Sequence, residues 1–194
     1  KGLRVPNMTQ RPQYDVTVAG VSRTLEKFEV APGVTIAILN ILGDTELVLA
    51  CSKELATRLE EFQPQVFVTA EAKSIPLIYQ LSVDTGIPYI VLRKSYKTYM
   101  GETIYSETVS ITTGSTQTLY LDEKDRALID GKRVVLVDDV ISTGSTLEGM
   151  ETIIKQTNAK VVARAAIFTE GNEPDRWEDI VALGNLPVWI GDAN

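Results

Sequence analysis

The sequence predicts an α/β fold with a mostly parallel central sheet flanked by helices, and three observations support it. Short apolar runs alternate with segments of helical periodicity along the chain. The apolar run Val134–Val137 leads into two aspartates and then into a loop of small residues that opens a helix. The 194 residues are 44% hydrophobic and 23% charged, which suits a single domain with a sizeable core.

The first half of the chain predicts two helices and two strands. Apolar residues at helical spacing predict a helix that is capped by Ser52 and runs to Phe62. A second helix is expected over Ile75–Val83. Short apolar runs predict strands over Gln65–Thr69 and Tyr89–Leu92.

The second half predicts further strands on either side of a helix. Strands are expected over Ser115–Leu121, Arg133–Val137 and Val161–Phe168, and a helix over Thr146–Gln156. A turn at Gly131 leads into the second of these strands, which is the most strongly apolar. The alternation of strand and helix is typical of parallel pairing.

Two segments lack a clear period. The polar, turn-rich stretch Lys94–Ser106 predicts an extended loop or a β-excursion, and the C-terminal piece with Trp177 and Trp189 is expected to be irregular.

We expect one domain over residues 1–194. It would consist of an N-terminal extension with a possible hood (about 1–50), a ligand-binding core (about 51–170) and a C-terminal segment (171–194).

Composition excludes several classes of function. The chain has no histidine, so a serine–histidine or cysteine–histidine relay and a histidine-bound metal are excluded. Cys51 is the single cysteine, which rules out an internal disulfide and fits a reducing cytoplasm. The net charge of −7 argues against a broad nucleic-acid-binding face. Apolar runs fall far short of the roughly 20 residues that span a membrane.

The segment from Val134 to Thr146 carries most of the functional argument. Its apolar start predicts a buried parallel strand, and Asp138 and Asp139 stand where open α/β sheets bind ligands. The small hydroxyl residues and glycine that follow offer backbone N–H groups to an anion at a helix N-terminus. The two carboxylates could accept hydrogen bonds from the diol of a ribose, and the loop beside them could bind its phosphate. This arrangement fits a ribose 5-phosphate. The glycine–lysine ending of a Walker loop and the Rossmann glycine pattern are both missing.

This string resembles the phosphoribosyl pyrophosphate (PRPP) signature of type I phosphoribosyltransferases. The resemblance implies that family's fold, a mostly parallel sheet with a small hood and a mobile loop. It implies that Asp138 and Asp139 hold the ribose hydroxyls and act in catalysis. The residues that it implies for 5-phosphate binding are Ser142, Thr143, Gly144, Ser145 and Thr146.

A second segment, Val68–Ser74, is another strand that leads into a turn and a helix. It resembles the pyrophosphate loop of the adenine and xanthine enzymes of the family. The residues that it assigns to pyrophosphate are Glu71, Ala72, Lys73 and Ser74. The family often has a non-proline cis peptide in this loop, which we expect near Ala72–Lys73.

A third segment, Arg93–Thr103, resembles the stretch after the third strand of adenine-type enzymes. It implies that Lys94 and Lys97 neutralise the leaving pyrophosphate, with Lys94 and Glu102 as catalytic candidates. The loop from Tyr96 to Thr108 is expected to close over the site and exclude water.

Of all the roles expected for this site, recognition of the purine base is the one that the sequence determines least. Many adenine enzymes have a glutamate and a tyrosine where this chain has Thr112 and Thr113, so Glu102 or Glu107 would have to substitute. Adenine is favoured, and hypoxanthine, guanine and xanthine remain open. The side chains expected to flank or stack on a purine are Ile36, Ile38, Val140, Phe168 and Trp177.

The function that follows is transfer of the phosphoribosyl group from PRPP to a purine base, a step of purine salvage. Magnesium would be held by the diphosphate and ribose hydroxyls, with Asp138 or Asp139 as protein ligands. The resemblance also implies a homodimer. Two alternatives stay open: a PRPP-sensing regulator, as in a bacterial purine operon repressor with the same domain, and a catalytically silent PRPP-binding protein.

Overall fold

The computed structural model describes residues 11–109 and 116–191. The strands in chain order are β1 (Gln13–Val18), β2 (Val21–Ala31), β3 (Val34–Ala37), β4 (Val66–Ala70), β5 (Tyr89–Leu92), β6 (Ile104–Val109), β7 (Thr116–Leu121), β8 (Arg133–Ile141), β9 (Lys160–Glu170), β10 (Ile180–Leu186) and β11 (Val188–Ile190). The α-helices are α1 (Thr45–Leu59), α2 (Ile75–Thr85), α3 (Arg126–Ile129) and α4 (Ser145–Ile154).

The centre of the molecule is a five-stranded sheet in the order β10-β9-β8-β4-β5. All of its neighbouring strands run parallel, so the predicted fold class is confirmed. Every residue of β4 is buried, as expected for a parallel strand covered on both faces. The predicted strands in this sheet lie within a few residues of their observed positions.

Strand β8 divides the core into two apolar layers. Val135 and Val137 pack in the cluster that contains the buried faces of α1 and α2. Val134 and Leu136 pack in the other cluster, with α4 and β7. Because successive side chains of a strand point to opposite faces, this continuous apolar run serves both layers.

The first helix begins earlier than predicted. It starts at Thr45, where the Asp44 carboxylate accepts a hydrogen bond of 3.2 Å from the amide of Leu47. The predicted cap, Ser52, lies within the helix and is fully buried, and its hydroxyl donates to Asp84 Oδ2 at 2.7 Å. The prediction was wrong because the apolar stripe of α1 extends a further two turns toward the N-terminus.

A separate antiparallel sheet forms the hood, in the order β1-β2-β3-β11. Val18 and Leu25 of this sheet pack in the same cluster as Leu47 of α1, so the hood sits on the first helix. The C-terminal piece is not irregular as predicted. Residues 180–186 pair with the preceding strand β9 and extend the central sheet, and residues 188–190 complete the hood because they pair with β3, which is remote in sequence.

Strands β6 and β7 form an antiparallel hairpin that packs on α4. Ser106 Oγ in β6 donates to the carbonyl of Gly149 at 2.8 Å. Of the two structures predicted for the polar stretch after β5, the β-excursion is therefore observed from Ile104 onward, after a 3-10 turn at Thr98–Met100. No helix in the described part of the chain is long and apolar enough to cross a membrane.

Candidate functional site

A cavity of about 280 Å³ lies at the carboxyl ends of the central strands, between the sheet and the hood. Parallel sheets of this kind bind ligands at this edge. The residues that line the cavity are Ile36, Ala37, Ile38, Leu39, Ala70, Glu71, Ala72, Lys73, Ser74, Lys94, Asp138, Asp139, Val140, Ser142, Thr146 and Glu170.

Two adjacent carboxylates form the floor of this cavity. Ser74 Oγ is 2.8 Å from Asp138 Oδ1 and 3.3 Å from Asp139 Oδ1, and it accepts a hydrogen bond of 2.8 Å from the Asp139 amide. A hydroxyl has one proton to donate, and the shorter distance assigns it to Asp138. Ser74 at the start of α2 thus fixes the orientation of both acids at the end of β8.

The two acids differ in their electrostatic surroundings. Burial raises the pKa of the Asp138 carboxyl to about 7, and the nearby charge of Asp139 adds to this effect. The Asp139 carboxylate, which is only 5% exposed, has the Lys73 ammonium 3.1 Å from its Oδ2. The Asp138 carboxyl is therefore easier to protonate than an exposed aspartate, and in its protonated form it can donate to a ligand hydroxyl as well as accept from one.

Residues 142–144 form a compact loop between β8 and α4, and residues 145–146 are the first of the helix. They line a recess of about 90 Å³ that also touches Asp138 and Val140 and so adjoins the main cavity. Gly144 has φ of +85°, a left-handed conformation that glycine adopts without steric cost, and α4 begins at the next residue. Backbone amides at a helix N-terminus favour an anion, and the size of the recess suits a phosphate group.

The 3-10 turn that ends at Trp177 supports this loop from outside, a contact that the sequence did not predict. A Cβ atom on Gly144 would lie 2.8 Å from Trp177 Cη2, so the indole packs directly against the glycine. Arg176 Nη2 donates to the carbonyl of Thr143 at 3.3 Å, and Trp177 Nε1 donates to that of Glu170 at 3.4 Å. Trp177 therefore supports the loop, and it does not stack in the cavity as the sequence suggested.

The turn between β4 and α2 is held in place by its neighbours. The cis peptide bond is Glu71–Ala72, one bond before the predicted position. Glu71 forms an ion pair with Arg93 and accepts a hydrogen bond of 2.9 Å from the Lys94 amide. Lys73 Nζ donates to the carbonyl of Leu39 at 3.1 Å, which links this turn to the chain leaving the hood.

The structure brings only part of the third segment to the cavity. Lys94 lines it, whereas Lys97 and Glu102 do not. Both residues are exposed; Lys97 precedes the 3-10 turn, and the Glu102 amide donates to Glu123 Oε2 at 2.8 Å. Closure of this segment over a ligand remains a prediction. Thr112 and Thr113 lie outside the described residues.

The side of the cavity that faces the hood is mainly apolar. Ile36, Ile38 and Val140 line it as expected. Phe168 does not, and the expectation for it is corrected: its ring is 1% exposed and packs in the core against Gly184. Glu170, two residues further along β9, lines the cavity in its place and was not predicted. The only sequence signal for it was an acid at the end of an apolar strand.

The carboxylates of the site supply oxygen ligands of the type that Mg²⁺ prefers. Within residues 11–109 and 116–191, no group of three or more histidine, cysteine or acidic side chains is arranged to hold a metal ion. Asp138 and Asp139 would therefore supply one or two ligands, and the remaining oxygens would come from the bound substrate. This donor set fits a substrate-borne magnesium ion.

Comparison with known proteins gives two kinds of curated relative. The purine biosynthesis transcriptional repressor of Bacillus subtilis is 29% identical over 176 residues, which is 90% of this chain and 61% of the repressor. The hypoxanthine/guanine phosphoribosyltransferase of Methanocaldococcus jannaschii is 35% identical over 123 residues, 61% of this chain and 63% of the enzyme. The matches thus span less than two thirds of the length of these relatives.

Solved structures of adenine phosphoribosyltransferases share the fold. The enzyme from Thermoanaerobacter pseudethanolicus superposes with a TM-score of 0.69 at 21% identity, over 83% of this chain and 95% of that one. The Giardia lamblia enzyme complexed with 9-deazaadenine has a TM-score of 0.68 at 17% identity, over 83% and 93% of the two chains. The type I phosphoribosyltransferase fold expected from the sequence is thereby confirmed.

The family assignment rests on a match that extends well beyond the signature string. A model of the phosphoribosyl transferase domain matches residues 40–190, from the chain leaving the hood to its last strand. The paired acids and the recess fall within this range, and so does the lining of the cavity apart from residues 36–39. On this basis the chain belongs to the phosphoribosyl transferase family.

Proposed function

We propose that this protein is a purine phosphoribosyltransferase that transfers the 5-phosphoribosyl group from PRPP to a purine base, with adenine favoured. The products would be a nucleoside monophosphate and pyrophosphate. One observation carries the proposal: a phosphate-sized recess and a larger cavity meet at the Asp138 and Asp139 pair. This arrangement has room for a phosphate, a ribose and a base in that order.

The contacts of the site support a definite placement of PRPP. The 5-phosphate would occupy the recess of residues 142–146, and the ribose hydroxyls would bind Asp138 and Asp139. The diphosphate would lie against the turn at Ala72–Ser74. Lys73 and Lys94 both line this part of the cavity, so positive charge is available where the leaving group would collect its negative charge.

The chemistry that follows needs no covalent intermediate with the protein. The bond between ribose C1 and the diphosphate oxygen breaks, the electron pair leaves with the diphosphate, and a purine nitrogen forms the new bond to C1. When held by the diphosphate and the ribose hydroxyls, Mg²⁺ offsets the charge of the leaving group. The residues of this chain orient the ribose, bind the phosphates and hold the base in line, which are positioning and electrostatic roles.

A second function is favoured by a different observation. The alignment with the Bacillus subtilis repressor covers 90% of this chain, whereas that with the Methanocaldococcus jannaschii enzyme covers 61%. In the second interpretation the same cavity binds PRPP without turnover, and the protein acts as a PRPP-sensing regulator of purine metabolism. For either function we expect a homodimer in the cytoplasm, as the family resemblance implies.

Pyrophosphate release separates these functions. The protein would be incubated with PRPP, Mg²⁺ and adenine, hypoxanthine, guanine or xanthine in turn. We expect release with one or two bases and a loss of about 100-fold or more in the Asp138→Asn, Asp139→Asn double variant, which lacks the charge for the ribose and metal. Glu61→Gln, an exposed acid-to-amide change at the opposite end of β4, is the matched control.

Calorimetric titration with PRPP completes the test. Binding without release under any condition would favour the regulator over the enzyme. Binding that is unaffected by the double variant, or no binding at all, would overturn the assignment of the site.

A further inference from the structure

Glu170 is an acid of the cavity that has no role in the proposed placement of PRPP. It ends β9, and it follows Phe168 by two residues on the same face of the strand. Phe168 packs in the cluster that also contains Ala37 and Leu39 below the hood. Glu170 therefore extends beyond that cluster toward the hood side of the cavity, where it lines the wall together with Ile36, Ile38 and Val140.

The other acids of the cavity have protein partners. Glu71 is paired with Arg93, Asp138 accepts from Ser74, and Asp139 is paired with Lys73. Within the part of the chain that the structure describes, the Glu170 carboxyl is in no ion pair and no hydrogen bond. Lys73 is the nearby cation, but its ammonium is already bound to Asp139 and to the carbonyl of Leu39.

This environment is costly for a carboxyl group unless a ligand supplies donors. Glu170 is partly buried, and that burial raises its pKa, although the charge of Lys73 acts in the opposite direction. A partly desolvated carboxyl group without a partner gains more from a new hydrogen bond than an exposed one does. Its position beside the apolar base wall, and away from the residues that would bind phosphate, makes a purine edge the fitting source of those donors.

We propose that Glu170 is a specificity-determining residue that accepts hydrogen bonds from the exocyclic amino group of a purine, so that the site prefers adenine or guanine to hypoxanthine. The inference rests on the proposed function, because it takes the cavity to be a base site. Hypoxanthine is the informative reference, since it has an oxygen where adenine has its amino group and lacks the amino group of guanine. An oxygen acceptor facing the carboxylate would be disfavoured.

Nucleoside monophosphates test this without turnover. AMP, GMP and IMP would be titrated calorimetrically into wild-type protein, Glu170→Gln and the Glu61→Gln control, with no pyrophosphate present. Wild-type protein and the control should bind AMP or GMP about tenfold or more tightly than IMP, the range expected for a charge-assisted hydrogen bond. In Glu170→Gln that ratio should fall toward one, because an amide offers a donor as well as an acceptor.

Each alternative result has a definite meaning. A ratio that Glu170→Gln leaves unchanged, or a wild-type protein that binds IMP as well as the others, overturns the role of Glu170. Ribose 5-phosphate is titrated in parallel. Suppose that ribose 5-phosphate binds, that the double aspartate variant abolishes this binding, and that no nucleotide binds more tightly than ribose 5-phosphate. The inference about the base then fails, and the proposed PRPP site stands. If ribose 5-phosphate does not bind either, the proposed function fails with it. A thermal unfolding curve for Glu170→Gln that matches the wild-type curve excludes a folding defect as the cause.

Discussion

The proposed phosphate side and the proposed base side of the cavity are built in different ways. Residues 138–146 supply the acids and the phosphate loop as one continuous stretch across the end of β8 and the start of α4. The base side is assembled from the end of the hood at residues 36–39 and from Glu170 at the end of β9, which are remote in sequence and meet beside Val140 of that stretch. The first is a local motif, and the second exists only in the folded chain.

The difference has a physical basis. A phosphate is bound largely by backbone amides, whose directions are set by the local path of a short loop. A base is selected by side chains that approach from different elements, so its site depends on how the hood sits on the core. Changes within the loop should therefore alter phosphate binding alone, and changes at the attachment of the hood should alter base binding alone.

Gly144→Ala should produce the largest separation between the two sides. The left-handed backbone at Gly144 is strained by about 1–2 kcal/mol for a residue with a side chain, and the new Cβ would also overlap the indole of Trp177. The loop must shift to relieve the backbone strain and the overlap with the indole, and the shift moves its backbone amides away from the phosphate. We expect the affinity for ribose 5-phosphate, measured by calorimetry, to fall by about tenfold or more.

Gly20→Ala is the matched control for that change. Gly20 in the hood hairpin has a similar φ of +78°, but a Cβ there meets no atom within 4 Å. Both variants should lose some thermal stability, and only Gly144→Ala should lose ribose 5-phosphate binding. Equal affinities in the two variants would show that the packing of Trp177 on the loop is not needed for phosphate binding.

Arg23→Met should weaken the base side instead. Arg23 on β2 binds both Asp44 oxygens, at 2.7 and 2.8 Å, and Glu46 at 2.8 Å, and so joins the hood to the start of α1. The guanidinium also lowers the pKa of Asp44. Without this link the hood should be held less rigidly over the cavity. We expect nucleotide affinity to fall by about three- to tenfold while ribose 5-phosphate affinity is unchanged.

Arg11→Met provides the comparison. Its ion pair with Glu26 at 3.0 Å stays within the hood and does not reach the core. This variant should bind nucleotide as wild-type protein does. If Arg23→Met loses as much affinity for ribose 5-phosphate as for nucleotide, the phosphate side and the base side are not independent.

The last prediction concerns stability, and not ligand affinity, as a function of pH. The folded-state pKa of Asp138, about 7, lies above its ordinary value of 3.8, so the folded chain binds more protons than the unfolded chain between these values. The stabilisation from that proton is complete below about pH 4 and is lost as pH rises through about 7. In thermal unfolding without ligand, wild-type protein should therefore lose stability relative to Asp138→Asn between about pH 5 and pH 8. Parallel curves for the two proteins would mean that Asp138 is not buried as a proton-binding acid.

Several parts of this site were open to prediction because their signals are local. The strand that ends at the acids, the loop that follows it and the segment 71–74 could each be recognised from a few neighbouring residues. The cis peptide was misplaced by only one bond. In contrast, Phe168 and Trp177 were expected near the base, since an aromatic side chain in a sequence does not reveal whether it faces a core, a loop or a cavity.

The parallel α/β core, the pair of acids and the small-residue loop after them could be predicted from the sequence, because an apolar period, strand-end carboxylates and a small-residue turn are properties of adjacent residues. Tertiary structure alone decided that residues 188–190 complete the hood, that Trp177 packs on Gly144 and that Glu170 reaches the base wall. These features depend on contacts between segments far apart in the chain. No local pattern specifies such contacts, since they are fixed only when the two core layers and the hood pack together.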